Sequence, residues 1–290
     1  MTPDGLLVVD KPTGWTSHDV VARLRRRAGT RRVGHAGTLD PMATGVLLVG
    51  VGRATRLLGH LALRDKAYDG TIRLGMSTTT DDAEGDIVAV TPVVGLDEVA
   101  IRAALDHFVG EISQVPSAVS AIKVAGRRSY ARVRAGESVE LAPRRVTVTE
   151  LRLVELRRVA EYVNLDVHVE CSTGTYVRAI ARDLGAAIGV GGHLTALRRT
   201  RVGPFDLAAA RSLTELEHDL AVLPLPDAVV RAFPTRTVEA GEAERIRHGV
   251  ALPAAGVGPG PYGVFAPDGS VLALVEERDG LARPLCVFVP

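Results

Sequence analysis

Cysteine and long apolar runs are both scarce in this sequence of 290 residues. The two cysteines, Cys171 and Cys286, are far apart and form no cluster with metal-ligand spacing, so we expect no metal site. No apolar run approaches the ~20 residues that a membrane helix needs, and the N-terminus lacks the basic and apolar segments of a signal peptide. These absences predict no membrane association and favour a cytoplasmic location.

Lysine is also rare, because only three of the 35 basic residues are lysines. They are Lys11, Lys66 and Lys123. In a composition that favours arginine so strongly, a retained lysine indicates a place where a compact ammonium matters. We therefore take Lys11 and Lys123 as candidate substrate-binding residues.

The positive charge that is present is unevenly distributed along the chain. The formal net charge is only +1, yet residues 1–66 hold eleven Lys or Arg against five Asp or Glu, and residues 120–145 hold seven against two. Segregated positive charge is what a phosphate-binding face requires, although solvated arginine-rich surfaces also occur without one. With 46% hydrophobic residues, the chain can form one large domain and a small one.

The most informative stretch is Gly34–Gly45, which reads Gly-His-Ala-Gly-Thr-Leu-Asp-Pro-Met-Ala-Thr-Gly. Its three glycines and one proline predict a loop with unusual backbone angles, and the apolar run Val46–Val49 that follows predicts a buried strand. One carboxylate, Asp40, therefore lies in a tight loop at the edge of a sheet. An Asp-Pro pair alone most often starts a turn. Here His35 shares the loop, and five arginines lie just upstream.

Two later stretches carry further candidate residues. Lys66–Gly75 alternates as a strand, with Tyr68 on its apolar face, where a tyrosine on sequence grounds alone is a core residue. In Cys171–Gly185 a strand leads through a Thr-Gly-Thr turn into a helix whose first turn contains Arg178. The helix dipole disfavours an arginine there unless an acid or a phosphate is paired with it.

The remaining pattern predicts a framework of strands and helices. Val146–Val154 and Tyr162–Cys171 are typical of long antiparallel strands, and Leu96–Phe108 of an amphipathic helix. Thr16 or Ser17 caps an earlier helix whose far end is loaded with arginines. From about Phe233, glycine and proline separate short apolar runs, which predicts a small β-rich appendage.

The motif Gly-His-x-Gly-x-Leu-Asp-Pro-x-Ala-Thr-Gly closely resembles the catalytic-aspartate motif of the TruB family, the bacterial tRNA pseudouridine-55 synthases. Further matches extend from residue 9 to about residue 203, and they include Lys-Pro-x-Gly, Lys-x-Tyr, Gly-Thr-Tyr-x-Arg and Leu-Arg-Arg. The resemblance implies an α/β pseudouridine synthase fold, with a mixed, largely antiparallel sheet flanked by helices. It places the catalytic domain at 1–230, an RNA-binding insertion at about 117–145 and a PUA-like RNA-binding domain at 233–290.

The resemblance also implies a function and a set of roles. The expected reaction isomerises uridine to pseudouridine at position 55 in the T loop of tRNA, by base flipping and without a cofactor. Asp40 is then the essential carboxylate, paired with Arg178, and it attacks either the ribose C1′ or the uracil C6. Tyr68 lies against the ring and takes the C5 proton. The family's target uracil packs beside the leucine that matches Leu197.

The same resemblance assigns the other substrate-binding residues and the partners. Tyr176 closes the pocket together with Leu197, while His35 fills the space that the flipped uridine leaves. The expected partner is the T arm of tRNA, with no obligate protein partner and a monomeric enzyme.

Three other functions remain to be weighed. A non-catalytic RNA-binding protein of the same fold would have lost at least one of Asp40, Tyr68 and Arg178, and all three are present. A dinucleotide-dependent oxidoreductase is faintly suggested by Gly50–Thr55, but the third glycine is missing. A guide-RNA-dependent synthase is disfavoured because no lysine-rich tail indicates protein partners.

Overall fold

The computed structural model describes residues 3–118, 123–124, 127–128, 141–258 and 260–289. Most of the predicted RNA-binding insertion, and the side chain of Lys123, lie outside these residues.

The strands in the first part of the chain are β1 (Gly5–Lys11), β2 (Val33–Ala36), β3 (Thr44–Val51), β4 (Lys66–Leu74), β5 (Met76–Thr78), β6 (Ile87–Val90), β7 (Gly110–Gln114), β8 (Lys123–Val124) and β9 (Arg127–Arg128). Those that follow are β10 (Arg144–Val159), β11 (Tyr162–Cys171), β12 (Gly192–Val202), β13 (Phe205–Asp206), β14 (Arg211–Ser212), β15 (Leu223–Pro224), β16 (Thr235–Thr237), β17 (Leu252–Pro253), β18 (Tyr262–Phe265), β19 (Val271–Arg278) and β20 (Leu281–Val287). The α-helices are α1 (Ser17–Ala28), α2 (Leu58–Ala62), α3 (Glu98–Asp106), α4 (Val177–Ile188), α5 (Leu213–His218), α6 (Leu225–Ala232) and α7 (Ala240–Arg247), with short 3₁₀ helices at Gly52–Leu57 and Leu207–Ala209.

The described chain forms two compact units that do not follow the order of the sequence. The first unit comprises residues 1–39, 46–63 and 202–290, and the second comprises 40–45 and 64–201. The first unit therefore holds both ends of the chain, including 202–230 and the region from 233 onward. The predicted domain boundary near residue 230 stays a prediction.

The first unit contains the N-terminal strands and a separate C-terminal sheet. β1 pairs in parallel with β14, and β2 pairs antiparallel with β3. The C-terminal sheet has the order β16-β18-β19-β20-β17. It confirms the β-rich appendage that the sequence predicts, with α7 packed on it through the buried Ile246. A larger core joins Leu6 and Leu48 of the N-terminal strands to Phe288 near the C-terminus.

The helix α1 forms as its sequence predicts. Thr16 caps it by accepting a hydrogen bond from the Asp19 amide at 3.1 Å, and the Asp19 carboxylate accepts from the Thr16 amide at 3.0 Å. This reciprocal arrangement satisfies two amides that a helix start leaves without partners. The buried face contains Val20, Val21 and Leu24, and Gly29 ends the helix with φ +62°.

The aspartate motif is less of a loop than its composition predicts. His35 lies on β2, opposite Val49 of β3, so the expectation that Gly34 and His35 belong to the loop is wrong. Strand pairing satisfies the backbone there, and glycine tolerates an extended backbone as well as a turn. The loop proper starts near Gly37, at φ +76°, and includes Asp40.

The second unit is built on a sheet with the neighbour order β12-β4-β11-β10-β7. β4 with β11, β11 with β10, and β10 with β7 are all antiparallel pairs, whereas β12 meets the first residues of β3 in parallel. The mixed, largely antiparallel sheet flanked by helices is therefore confirmed. So are the β10–β11 pair and the helix α3, and β4 buries Tyr68 and Ile72 while exposing Asp69.

Helix α4 approaches the start of β12 more closely than any side chain would permit. A Cβ atom added at Gly185 would lie 2.1 Å from the Gly192 nitrogen. Because real Cβ atoms do not approach backbone so closely, glycine is required for α4 to pack where it does. This contact fixes the helix whose first turn carries Arg178.

We predict that Gly185→Ala lowers the free energy of unfolding by roughly 1–3 kcal/mol, the usual cost of overpacking a tight contact. Gly241→Ala is the matched control, because Gly241 is also helical and a Cβ there meets nothing within 4 Å. The control gains up to about 1 kcal/mol from the better helix propensity of alanine. Urea denaturation of both variants measures the difference, and equal effects would contradict the close approach.

Candidate active site

One buried guanidinium organises the site. Arg178 is 4% exposed in the first turn of α4, where the helix dipole disfavours a cation. Its Nε lies 3.0 Å from Oδ2 of Asp40, and its Nη1 lies 3.2 Å from Oδ2 of Asp82. Nη1 also donates to the Thr80 carbonyl at 2.8 Å. Two carboxylates and a carbonyl thus compensate a charge that would otherwise be costly to bury.

Asp82 is the fixed end of this arrangement. It is 3% exposed, and its Oδ1 accepts from the Thr80 hydroxyl at 2.5 Å and from the Glu84 amide at 3.0 Å. Its backbone carbonyl accepts from the Thr78 hydroxyl at 2.7 Å. These contacts hold Asp82 in one orientation and so fix the guanidinium of Arg178.

Asp40 is the accessible end. Its side chain is 39% exposed, compared with 5% for Arg178 and 4% for Asp82. The Ala43 amide donates to its carbonyl at 3.1 Å, closing a turn through Pro41. An ion pair with a buried, oriented arginine favours an ionised carboxylate and points it in a defined direction. Such a group can act as a nucleophile or stabilise a developing positive charge.

A buried phenol lies near this carboxylate. Tyr68 is 7% exposed and lies on β4, where Ile72 is also buried. Burial raises the pKa of Tyr68 above its usual value, the Arg199 charge opposes that rise, and the charge of nearby Asp40 adds to it. The phenol is therefore neutral at physiological pH.

Two further buried titratable groups, Lys66 and Cys171, lie opposite each other on β4 and β11. Lys66 is 6% exposed and its Nζ donates to the Arg64 carbonyl at 2.6 Å. Burial, reinforced by the Arg199 charge, lowers the pKa of Lys66 to about 8. Cys171 lies opposite Lys66 on β11, and burial raises the pKa of its thiol to about 11. The thiol is thus protonated and unreactive.

Leu197 and Tyr176 also belong to the second unit. A Cβ atom placed on Gly70 would be 3.5 Å from Cδ1 of Leu197, so this leucine packs on the face of β4 that carries Tyr68. Tyr176 precedes α4, and its backbone is held in both directions by Gln114. The Tyr176 amide donates to Oε1 at 2.8 Å, and Nε2 donates to the Tyr176 carbonyl at 3.1 Å.

Residues 25–177 match the family model described as TruB family pseudouridylate synthase (N terminal domain). This match covers more than half of the chain. The chain belongs to the TruB family. Residues 178–224 match the model described as tRNA pseudouridylate synthase B C-terminal domain, and residues 233–289 match tRNA Pseudouridine synthase II, C terminal.

Similar proteins agree with the TruB assignment over the whole length. A protein named tRNA pseudouridine synthase B from Thermobifida fusca is 59% identical, over 98% of each chain. A protein of the same name from Streptomyces griseus is 57% identical, over 99% of this chain and 98% of its own. Two solved structures, titled "Crystal Structure of a Cbf5-Nop10-Gar1 Complex" and "Structure of H/ACA RNP bound to a substrate RNA containing 2'-deoxyuridine", align with TM-scores of 0.75 and 0.73. They are 26% and 25% identical, and each alignment covers 99% of this chain and 85% of the other.

The structure brings five of the residues predicted from the TruB resemblance into one unit. They are Asp40, Tyr68, Tyr176, Arg178 and Leu197. The expected pairing of Asp40 with Arg178 is present. The guanidinium is shared with Asp82 as well, so it does not serve Asp40 alone. The catalytic and substrate-binding roles of these side chains stay predictions.

Lys11 and His35 belong to the first unit. Lys11 is fully buried, and its Nζ donates to the carbonyls of Pro12 and Trp15 at 2.9 and 2.6 Å, which stabilises the Lys-Pro-x-Gly turn of the TruB pattern. The His35 ring packs edge-on against His18, with 5.3 Å between ring centroids. A role of Lys11 or His35 in binding the substrate stays a prediction.

The arginines of α1 are less available for phosphates than their number indicates. Arg25 donates to the Val33 carbonyl at 2.7 Å, and Arg27 donates to the Glu217 carbonyl at 2.6 Å. Arg23 pairs with the Glu217 carboxylate. These three side chains contact protein groups within the first unit, which an arginine count cannot reveal.

Sequence reasoning missed three residues of this site: Asp82, Gln114 and Arg199. Asp82 stands among other acids in a polar segment, and only its placement beside Arg178 distinguishes it. Gln114 carries no motif. Arg199 follows Leu197 at a spacing of two on β12, so strand periodicity could have placed both on one face.

A possible cation site lies elsewhere in the second unit. Within the described ranges, Glu150, His168 and Glu170 offer ligand atoms within 4.8 Å of one another. Arg152 pairs with Glu150 at 3.2 Å and Arg201 with Glu170 at 3.0 Å. Because arginines already compensate both carboxylates, the cluster is explained as an ion-pair network.

Among the residues that the structure describes, no helix is both long and apolar enough to cross a bilayer.

We predict that Asp82→Asn lowers the free energy of unfolding by about 1.5–3 kcal/mol, because it removes a buried charged partner of Arg178. Asp183→Asn is the control, since Asp183 pairs with Arg182 at 2.8 Å but both side chains are about one-third exposed. That partly exposed pair contributes less than about 1 kcal/mol. Urea denaturation compares the two variants, and an equal loss in both would show that burial of the Arg178 pair adds nothing.

We predict that Lys66→Met is more stable than the wild type at pH 7 by up to roughly 3 kcal/mol, because the wild type buries an ammonium. Below about pH 8 both folded and unfolded wild type carry the Lys66 proton, so the full cost is present. Between pH 8 and 10.5, the usual pKa of a lysine, only the unfolded chain keeps the Lys66 proton. The free energy of unfolding of the wild type therefore rises with pH in this window. The advantage of the variant therefore shrinks across this window. Urea denaturation of both proteins at pH 7 and pH 9.5 measures the difference in their free energies of unfolding. A difference that is the same at both pH values would contradict the lowered pKa of Lys66.

Proposed function

We propose that this chain isomerises uridine to pseudouridine at position 55 in the T loop of tRNA, by base flipping and without a cofactor. Membership of the TruB family supports this proposal, as do the names of the similar proteins. The single observation that carries it is the accessible carboxylate of Asp40, held by the buried Arg178 and near the buried phenol of Tyr68.

The reaction breaks the C1′–N1 bond of uridine, turns the uracil and joins C1′ to C5. It needs a carboxylate that approaches the nucleoside, a group that takes the C5 proton, and a site that excludes water. Asp40 supplies the carboxylate, attacking either the ribose C1′ or the uracil C6. Its exposed edge faces outward while Arg178 holds the other side, so attack costs little reorganisation.

The apolar and aromatic residues bind the base. Leu197 and Tyr176 close the pocket around the uracil, and Tyr68 lies against the ring. His35 fills the space that the flipped uridine leaves in the RNA, which offsets part of the few kcal/mol that unstacking costs. Arginine–phosphate contacts supply most of the affinity, which therefore falls with salt.

The proposed enzyme acts alone in the cytoplasm, as a monomer on the T arm of tRNA. One similar structure is a Cbf5-Nop10-Gar1 complex, whereas the curated relatives carry the name of a single enzyme, tRNA pseudouridine synthase B. An unstacked loop is the usual target of sequence-specific RNA recognition, and the T loop provides one.

We predict that Asp40→Asn abolishes pseudouridine formation while binding of a T-arm transcript stays nearly unchanged, because the amide keeps the shape but loses the charge. Tritium release from C5-labelled uridine measures the reaction, and filter binding measures the affinity. Asp69→Asn is the control, since Asp69 lies on the exposed face of β4.

Two outcomes would contradict the proposal. Product formation by Asp40→Asn at a rate comparable to the wild type would remove Asp40 from the chemistry. Tight binding of the T arm with no product from the wild type would favour a non-catalytic RNA-binding protein.

A further inference from the structure

Gln114 is the one glutamine among the 290 residues, and it is buried. It is 3% exposed and is the last residue of β7. Burying a glutamine immobilises a long, flexible side chain and removes an amide from water, and both effects cost free energy. An apolar residue would avoid these costs, so the amide has to be explained by the groups that it contacts.

Both ends of the Gln114 amide contact the backbone of a single residue, Tyr176. Oε1 accepts from the Tyr176 amide at 2.8 Å, and Nε2 donates to the Tyr176 carbonyl at 3.1 Å. A neighbouring strand exchanges the same two hydrogen bonds with an extended residue, and Tyr176 is extended, with φ −106° and ψ +104°. A reversed amide would set donor against donor and acceptor against acceptor, so these partners fix the orientation of the side chain.

The start of α4 depends on this contact because it has no side-chain cap. Tyr176 precedes the first residue of α4, and within the described residues its own side chain makes no capping hydrogen bond. Thr16 and Ser212, by contrast, cap α1 and α5 through their hydroxyls. The Tyr176 carbonyl also accepts from the Ile180 amide at 3.2 Å, the first hydrogen bond of α4. Gln114 therefore holds the residue at which extended backbone changes into helix.

A second anchor holds the other end of the turn between β11 and α4. The Ser172 amide donates to the Thr147 carbonyl at 2.8 Å, and the Thr147 amide donates to the Ser172 hydroxyl at 2.9 Å. Thr147 lies on β10, which pairs with β7, so the two anchors come from neighbouring strands. They differ in what they hold. Ser172 fixes where the turn leaves β11, whereas Gln114 fixes the backbone of Tyr176.

We propose that Gln114 is a positioning residue for the reaction, because its amide sets the backbone of Tyr176 and thereby the direction of the ring that closes the uracil pocket. This inference rests on the proposed function. The rotamers open to a side chain depend on its backbone angles, so a change of backbone at Tyr176 redirects the whole ring. Misplacement of a group at a reacting centre by about 1 Å can cost on the order of a hundredfold in rate. Gln114 acts through Tyr176 and does not itself contact the substrate.

The first experiment removes the amide and keeps the length of the side chain. In Gln114→Met the single-turnover rate of pseudouridine formation in a T-arm transcript falls by roughly ten- to a hundredfold. Binding of the transcript stays nearly unchanged, because phosphate contacts supply most of the affinity. Ser172→Ala is the matched control, since it removes one hydrogen bond of the other anchor and keeps the rate nearly at the wild-type value. Equal losses of rate in the two variants would overturn the proposal.

The second experiment determines whether Gln114 acts through Tyr176. Tyr176→Leu keeps an apolar side chain but has no ring to position. Gln114→Met then lowers the rate little further when it is added to Tyr176→Leu, because two changes that remove one interaction are not additive. Losses that multiply would show that Gln114 affects the reaction by another route, and the proposal would be wrong.

The third experiment restores the pairing by protonation. A protonated carboxyl group offers one donor and one acceptor, as an amide does, whereas a carboxylate only accepts. The rate of Gln114→Glu, divided by the wild-type rate at the same pH, therefore rises as the pH is lowered from 8 to 5. The same ratio for Gln114→Met stays constant. A ratio for Gln114→Glu that does not change with pH would contradict the role of the paired hydrogen bonds.

The surroundings of Gln114 place this protonation within reach. Burial and the facing Tyr176 carbonyl both favour the neutral form of a carboxyl group at this position, which raises its pKa. Among the charged groups on the neighbouring elements, Arg178 and Arg182 are each paired with two carboxylates. Arg144, opposite Gln114 on β10, is exposed to solvent. These arginines therefore oppose the rise only weakly.

Failure of this inference is distinguishable from failure of the proposed function. A wild type that makes no pseudouridine ends the proposed function, and the role of Gln114 with it. A wild type that makes pseudouridine no faster than Gln114→Met ends the role of Gln114 alone. Urea denaturation shows that each variant is folded under the assay conditions. If Gln114→Met does not fold, the pH profile of Gln114→Glu decides the question.

Discussion

The ion pairs of Arg178 are the constraint on which the rest of the site depends. A guanidinium in the first turn of a helix is opposed by the helix dipole, and burial adds a desolvation cost. Asp82, held by the Thr80 hydroxyl and the Glu84 amide, compensates that cost from inside. Asp40 completes the compensation from a position that stays accessible. The result is a carboxylate that is oriented by buried groups and open to solvent.

A second buried guanidinium repeats the arrangement with a different partner. The charge of Arg199 opposes the rise that burial causes in the pKa of Tyr68, whereas Arg178 forms an ion pair with the carboxylate of Asp40. In each case a guanidinium with little exposure lies near a group that can carry negative charge. The two arginines come from different elements, α4 and β12, so the helix and the sheet each fix one half of the site.

The sequence predicts the elements of this fold better than the partners of its charges. Period-two alternation places Tyr68 inside β4, and the Thr-Gly-Thr turn places Arg178 at a helix start, because local geometry decides both. Local patterns do not show that Asp82 pairs with Arg178 or that the charge of Arg199 acts on Tyr68, since these interactions join distant segments. The same limit explains why His35 lies on a strand: cross-strand pairing outweighs the glycines around it. Arg25 and Arg27 of α1 likewise donate hydrogen bonds to backbone carbonyls, and composition does not show such contacts.

The parallel register of β12 with Thr44 and Gly45 has a consequence for how this chain can change in length. Leu197 and Arg199 are two residues apart on β12, so both face the same side of the sheet. Insertion or deletion of a single residue just before them would turn both side chains away together. Natural length variation should therefore avoid β12 and collect at places such as the Ala160–Glu161 hairpin tip between β10 and β11, where nothing in the site would shift.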